Sequence, residues 1–319
     1  MNRLTLRTAC ALTLALVPMG APAFAQETLK LAVGQRTLWD TSISEVGQRG
    51  GIFKKHGLNL ELVYTQGSGE TQQAVISGSV EIGVAVGIMG ALSTYSKGAP
   101  VRIIGAETTG AGDLFWYVKA DSPIKTLKDT NGKTIAYSTI GSSTHGVVSA
   151  FIRENNLTAK PTATGGPPGT LTQVMSNQID VGWSAPPVGL DQLDRKEIRV
   201  IATGNDTLFK GQTVRTLITT QPVLQSRKAA IERYMKAYRE TVDWLYSSDP
   251  GALKTYADFA QISEAKAKRI RDEFFPKAAV LPDEIKGLDI IVPDAVNLKF
   301  TATQLTKEQL AELIQIPPR

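Results

Sequence analysis

One passage of this sequence occurs twice. SGSVEIGVA at residues 77–85 returns as SNQIDVGWS at residues 176–184, with serine, a β-branched residue, an acid, a second β-branched residue and glycine in step, 99 positions apart. Each copy follows a glycine-bounded loop, Gly67-Ser68-Gly69 before the first and Gly165-Gly166-Pro167-Pro168-Gly169 before the second. Each copy therefore encodes loop, helix, tight turn and buried strand. The first strand is nearly continuous in apolar residues, as expected where helices cover both faces of a sheet. Two such units predict a two-lobed α/β protein. The acids Glu81 and Asp180 open the two strands and read as turn residues rather than catalysts.

The rest of the chain continues the alternation. Strands are predicted over 29–33, 58–64, 80–86, 101–106, 113–120, 134–137, 198–202 and 213–219, with helices between most of them, so the sheets should be mostly parallel. Ser42-Ile43-Ser44-Glu45 has the spacing of a capping box and should start a helix that stops at Gly50-Gly51. Beyond Thr219 the pattern is helical. Residues 227–246 carry Ile231, Tyr234, Met235, Tyr238, Val242 and Leu245 at helical intervals, Asp249-Pro250 starts a further helix, and Thr306–Gln309 is a second capping box. A chain of 319 residues can bury two medium cores.

The N-terminus reads as an export signal. Arg3 and Arg7 precede a short apolar core, and Ala23-Phe24-Ala25 matches a small-x-small cleavage pattern, leaving Gln26 as the first mature residue. Cys10, the one cysteine, falls inside this segment, ahead of the position a lipid anchor would need, so the mature chain has no thiol or disulfide chemistry. The formal charge of +5 includes Arg3 and Arg7, and the remainder is small and dispersed. It does not suggest nucleic acid as a partner. His56 and His145 are isolated histidines without cysteines, a poor basis for a metal site, and no cofactor is expected.

The stretch KTIAYSTIGSSTHGVVSA, residues 133–150, reads as strand, hydroxyl-rich loop and helix start. Such a terminus gathers unpaired amides and partial positive charge, and can hold an anion without a cationic side chain. Ser142, Ser143 and Thr144 add hydroxyl donors, although Ser143 or Thr144 also reads as an ordinary N-cap. Trp39 and Asp40 follow the first strand, at the edge where parallel sheets place ligands. Trp39 reads equally as core, and Asp40 as a helix cap; facing a ligand, Asp40 would favour a donor or a cation. Trp183 breaks a strand end of small residues.

Taken in order, GGIFKKHGLNLEL, SGSVEIGVA, KGAPVRIIGA, DSPIKTLKDTNGKTIAY and IGSSTHG resemble the periplasmic solute-binding proteins of ABC importers, in the subgroup for sulfonates, taurine, nitrate and pyrimidine precursors. The resemblance spans about residues 29–219. It implies the type II two-lobed periplasmic-binding-protein fold: two mostly parallel sheets flanked by helices, with a ligand cleft between the lobes. By motif, residues 26–115 and 216–319 form the first lobe and 116–215 the second. The cleft would be lined by Trp39, Asp40, Ser68, Gly69, Ile88 and Met89. Thr108, Thr109 and Trp116 would approach at the hinge, and Ser142, Ser143, Thr144, His145, Trp183 and Pro186 from the second lobe. No arginine is placed for a bidentate clamp unless Arg215 or Arg36 swings in, so an anion would rest on neutral donors.

The function expected is that of a monomeric periplasmic receptor. It would bind a small organic, anionic solute, with an apolar body against Trp39 and Trp183, and deliver it to the permease subunits of an importer. A neutral heterocycle such as a pyrimidine precursor is an alternative ligand. An exported hydrolase using Ser142 or Ser143 with His145 is the alternative function. Adjacent positions in one helical turn point in different directions, and no GxSxG elbow is present, both of which count against it.

Overall fold

A computed structural model describes residues 26–319. The expected export signal, with Cys10, occupies residues 1–25, outside the described residues. Five strands form the first sheet, in the order β2-β1-β3-β10-β4: β1 (Glu27–Gly34), β2 (Leu58–Thr65), β3 (Ile82–Gly87), β4 (Val101–Thr109) and β10 (Thr213–Thr220). The first three pair in parallel, whereas β10 runs antiparallel between β3 and β4. The other five are β5 (Phe115–Lys119), β6 (Thr134–Tyr137), β7 (Lys160–Ala163), β8 (Gly182–Ser184) and β9 (Ile198–Thr203). β5 pairs antiparallel with β8 and β9, and β6 pairs in parallel with β7. A parallel bridge between Ile135 and Val181 joins the two sets, so the second sheet runs β7-β6-β8-β5-β9.

The two orders are the same once β1, β2, β3, β10 and β4 are matched to β6, β7, β8, β5 and β9. In each sheet the antiparallel strand arrives from the other lobe, through residues 110–114 into β5 and through 204–212 into β10. Thus Phe115 belongs to the second sheet and Arg215 to the first.

The repeat extends to individual hydrogen bonds. Glu81 Oε2 accepts the Lys30 N–H at 2.6 Å, and Asp180 Oδ2 accepts the Thr134 N–H at 2.9 Å. Each acid pins the strand beside the one it opens, a link between strands rather than the local turn role its sequence position suggests. Thr65 and Thr71 share a 2.7 Å hydroxyl bond, and so do Thr164 and Thr170. The second threonine of each pair also donates to a loop carbonyl, of Gly67 or Gly166.

Helices α1 (Ile43–Arg49), α2 (Ser68–Ile76) and α3 (Ile88–Ser96) flank the first sheet, and α4 (Ser143–Glu154) and α5 (Pro167–Met175) the second. The expected capping box at Ser42 is not formed. Residues 40–42 make a 3-10 turn that runs straight into α1, so Ser42 is already helical and its Oγ donates back to the Leu38 carbonyl at 2.5 Å. Glu45 instead pairs with Arg49.

The C-terminal part supplies α6 (Lys228–Leu245), α7 (Pro250–Ala260), α8 (Glu264–Phe274), α9 (Leu288–Asn297) and α10 (Lys307–Leu313). α6 buries Ile231, Tyr234, Met235, Tyr238, Val242 and Leu245 in the first lobe's core. At about 1.5–3 kcal/mol for each large apolar side chain removed from water, this face holds the helix on the sheet. The Thr306 capping box of α10 is formed.

Candidate ligand cleft

The carboxyl ends of β1 and β3 face the end of β6 across a narrow cavity of about 20 Å³ between the lobes. The first lobe lines it with Gly34, Gln35, Leu38, Asp40, Thr41, Gly67, Ser68, Ala85 and Arg215. Leu114, from the crossing segment, and Ser138, Ser143, Thr144 and Trp183, from the second lobe, close the other side. The start of α2 and the start of α4 therefore meet at one point. The first amides of a helix have no acceptor within it, and the helix dipole makes that end partly positive.

The hydroxyls at α4 are mostly committed to holding the turn. Ser142 is the N-cap: its Oγ accepts the His145 N–H at 3.1 Å and shares a 2.9 Å bond with Thr144 Oγ1. Thr144 Oγ1 also accepts the Ser138 N–H at 2.9 Å. Ser143 reaches the cavity without any such engagement among the described residues. In the first lobe, Ser68 Oγ donates to the Ala85 carbonyl at 2.8 Å.

Beneath the cavity lies a buried charge cluster. Arg215 Nε is 2.8 Å from Asp40 Oδ2 and 3.4 Å from Glu107 Oε2, and Nη2 is 2.7 Å from Asp113 Oδ2. Thr108 Oγ1 donates to Asp40 Oδ2 and Glu107 Oε2 at 3.3 and 3.2 Å. All four charged side chains are at most 5 % exposed, so the cluster is held almost wholly away from water. Three carboxylates around one guanidinium cannot all ionise without cost. Burial and then the Asp40 charge push Glu107 well above the usual carboxylate range, and burial raises Asp113 to about 6. Burial works against the charge on Arg215, but Asp113, Asp40 and Glu107 outweigh it and raise its pKa. Asp40 Oδ1 and Glu107 Oε1 are buried with no hydrogen-bond partner among the described residues. A buried acceptor without a donor carries a desolvation cost of about 1–3 kcal/mol, which a ligand N–H or O–H would relieve.

The structure gathers some of the sequence candidates here and not others. Asp40, Ser68, Ser143, Thr144 and Trp183 line the cavity, and Trp183 donates its N–H to the Gly165 carbonyl at 3.2 Å. Gly69 is not among the lining residues, and donates its N–H to Thr139 Oγ1 across the lobes at 3.0 Å. Trp39 is turned into the first lobe's core, edge-on to Tyr256 at 4.7 Å and donating to Tyr246 Oη at 3.1 Å. Trp116 is fully buried in the second lobe, edge-on to Phe151 and bonded to the Ala136 carbonyl. His145 stacks on Tyr137 at 4.6 Å, meets Phe300 at 5.1 Å and accepts the Gly141 N–H on Nδ1. Its imidazole is thus bonded to backbone rather than to Ser142 or Ser143, and burial lowers its pKa.

Ile88 and Met89 are buried in the first turn of α3, and Pro186 is buried ahead of a cis bond to Pro187. None of these three lines the cavity. Thr108 and Thr109 face a separate cavity beside β4, with Gly110, Asp113 and Asn205. Arg36 lies over Tyr64 and Phe259, away from the cleft.

Sequence reasoning missed Ser138, Glu107 and Asp113. The strand order matches Ser138, directly after β6, to Gly34, at the end of β1, so carrying the repeat through to that pair would have found it. Glu107 closes an apolar strand with a charge, and that was its visible signal.

Residues 43–251 match the family model described as NMT1/THI5 like. The chain belongs to the NMT1/THI5-like family. No curated protein sequence matches the chain. Among solved structures it is similar to the alkanesulfonate-binding protein SsuA of Xanthomonas axonopodis pv. citri bound to MOPS, with 15 % identity, a TM-score of 0.72, and 91 % of this chain and 98 % of that one covered. It is also similar to the periplasmic aliphatic sulphonate-binding protein SsuA of Escherichia coli (18 % identity, TM-score 0.68, 92 % and 93 % covered). The desulfurization enzyme DSZB shares the fold as well, at 13 % identity and a TM-score of 0.61, with 89 % and 95 % covered. The architecture is the periplasmic-binding-protein fold, and it hosts both binders and an enzyme.

Proposed function

We propose that this protein is a periplasmic solute receptor of an ABC importer, taking a small organic ligand in the inter-lobe cleft and presenting it to the permease. The ligand carries an acceptor or anionic group, held at the starts of α2 and α4, and an N–H donor, held by Asp40. One observation carries this reading: the cavity between the two matched sheet ends combines helix-start amides with a buried carboxylate oxygen that has no partner. The family match and the binding proteins that share the fold support the receptor role. Trp183, rather than Trp39, is the aromatic wall. Ligand bridging the lobes would stabilise the closed form by its greater affinity for it.

The test is a thermal-shift and calorimetry series with taurine, ethanesulfonate, nitrate and 2-aminopyrimidine, on the parent and on Asp40→Asn. A ligand at one hundred times its Kd stabilises by about 2.7 kcal/mol. Donor-bearing probes should bind more tightly than ethanesulfonate and lose affinity in Asp40→Asn. Equal binding of taurine and ethanesulfonate, unchanged in the variant, would remove Asp40 from the site. Catalytic release of sulfite or any other product from these probes would overturn the receptor reading.

A further inference from the structure

Most turn glycines in this chain sit where the backbone demands them. Gly78 and Gly98, with φ of 75° and 87°, have nothing within 4 Å of where a side chain would start. Others, such as Gly47, Gly83 and Gly105, make room for side chains of their own lobe, and four glycines of the first lobe differ from both kinds. Gly69 lies in α2, Gly90 lies in α3, Gly87 has φ −57°, and Gly67 is extended. None of these conformations needs glycine, and within a helix glycine costs about 0.5–1 kcal/mol relative to alanine.

What they share is a neighbour, the 138–143 loop of the second lobe. A Cβ on Gly90 would stand 2.3 Å from the Gly141 carbonyl oxygen, and one on Gly87 would stand 2.5 Å from the Ser143 nitrogen. On Gly69 it would meet the Ile140 carbonyl oxygen, and on Gly67 Thr139 Oγ1, each at 2.7 Å. Three of the four opposing atoms are backbone and cannot swing aside. Gly141, at φ 81°, turns the loop so that its carbonyl reaches Gly90.

We propose that Gly67, Gly69, Gly87 and Gly90 form a seat for the 138–143 loop and thereby set how far the lobes close. The seat is needed only when the lobes meet, since each glycine's strained neighbour belongs to the other lobe. Ser143 and Thr144 line the cavity directly after this loop, so the depth of seating fixes the room left for a ligand. Returning Gly90 to ordinary contact of 3.4 Å would hold the lobes apart by about 1 Å at that point. The seat presupposes the two-lobed closure of the receptor reading but not any particular ligand.

The test needs no ligand. Gly166 N lies 3.4 Å from Gln66 Oε1 across the lobes, so Gln66→Cys with Gly166→Cys reports closure by the rate of oxidative or short bismaleimide cross-linking. The pair is placed in the full chain with Cys10→Ser. Into it go Gly90→Ala, Gly87→Ala and, as control, Gly211→Ala, where φ is −123° and nothing lies within 4 Å. Gly90→Ala and Gly87→Ala should each slow cross-linking at least tenfold, while melting no earlier than the parent. Gly211→Ala should match the parent. Parent-like cross-linking in Gly90→Ala and Gly87→Ala would overturn the proposal. So would failure of both to fold, because an open lobe does not use the seat.

Discussion

Replacing Arg215 by Met tests the hinge cluster most directly. The change keeps a long side chain in place but removes the cation that Asp40, Glu107 and Asp113 share. Breaking a buried ion pair from one side costs about 3–5 kcal/mol, because the abandoned charge stays buried. At an m-value of about 3 kcal/mol/M in urea, this lowers the midpoint by about 1 M or more. The loss should depend on pH. Glu107 and Asp113 have folded-state pKa values above their ordinary ones, Asp113 at about 6. A raised carboxyl stabilises the fold through its neutral form, fully below the unfolded pKa, and that contribution fades as pH rises through the folded value. Without Arg215 both carboxyls should rise further, so protonation at pH 5 should recover much of what is lost at pH 7. The assay is urea unfolding of parent and Arg215→Met at both pH values, followed by circular dichroism. A loss below about 1 kcal/mol at pH 7, or the same loss at both pH values, would refute the charge-cluster account.

Other outcomes follow from single contacts. Ser142→Ala removes the α4 cap and should cost about 1 kcal/mol in unfolding free energy, read by the same denaturation. Trp39→Leu should cost about 3 kcal/mol of stability and leave probe affinity unchanged, while Trp183→Leu should weaken binding of whichever probe binds the parent. His145 should titrate below 6.5 by NMR; being depressed, it contributes stability above 6.5 that is lost as pH falls through its folded value.

The parts of the fold legible in the sequence were those written locally. Strand and helix alternation and the Thr306 cap depend on residues within a few positions of one another, whereas Glu81 and Asp180, legible only as residues that open strands, take partners 51 and 46 positions away. Loop 138–144 was legible as a strand-to-helix turn, but the cap read at Ser143 or Thr144 is Ser142, one residue earlier. What failed was direction. Trp39 was placed at the right edge of the sheet, but Tyr246 and Tyr256, more than 200 residues later, turn its ring inward. Ser42 had the spacing of a cap, and a preceding 3-10 turn removed the extended conformation that a cap requires. The Arg215 cluster draws on four separated segments, so no sequence window contained it.

That distribution has a physical cause that bears on function. The repeat builds two similar frames, and each frame could be read from its own residues. The cleft is where the frames differ: Gly34 ends β1 where Ser138 follows β6, and Asp40 follows β1 in a 3-10 turn whereas α4 follows β6 with its hydroxyls. A ligand held between identical edges would meet the same chemistry twice. In the proposed receptor it would meet donors from one side and a carboxylate held by Arg215 on the other. Arg215 stands at the start of β10, where the chain returns from the second lobe, and Asp113 lies in the segment that leaves for it. The same ion pairs therefore brace both crossings and fix the Asp40 carboxylate, so a change in the charge of the cluster alters the hinge and the binding surface together.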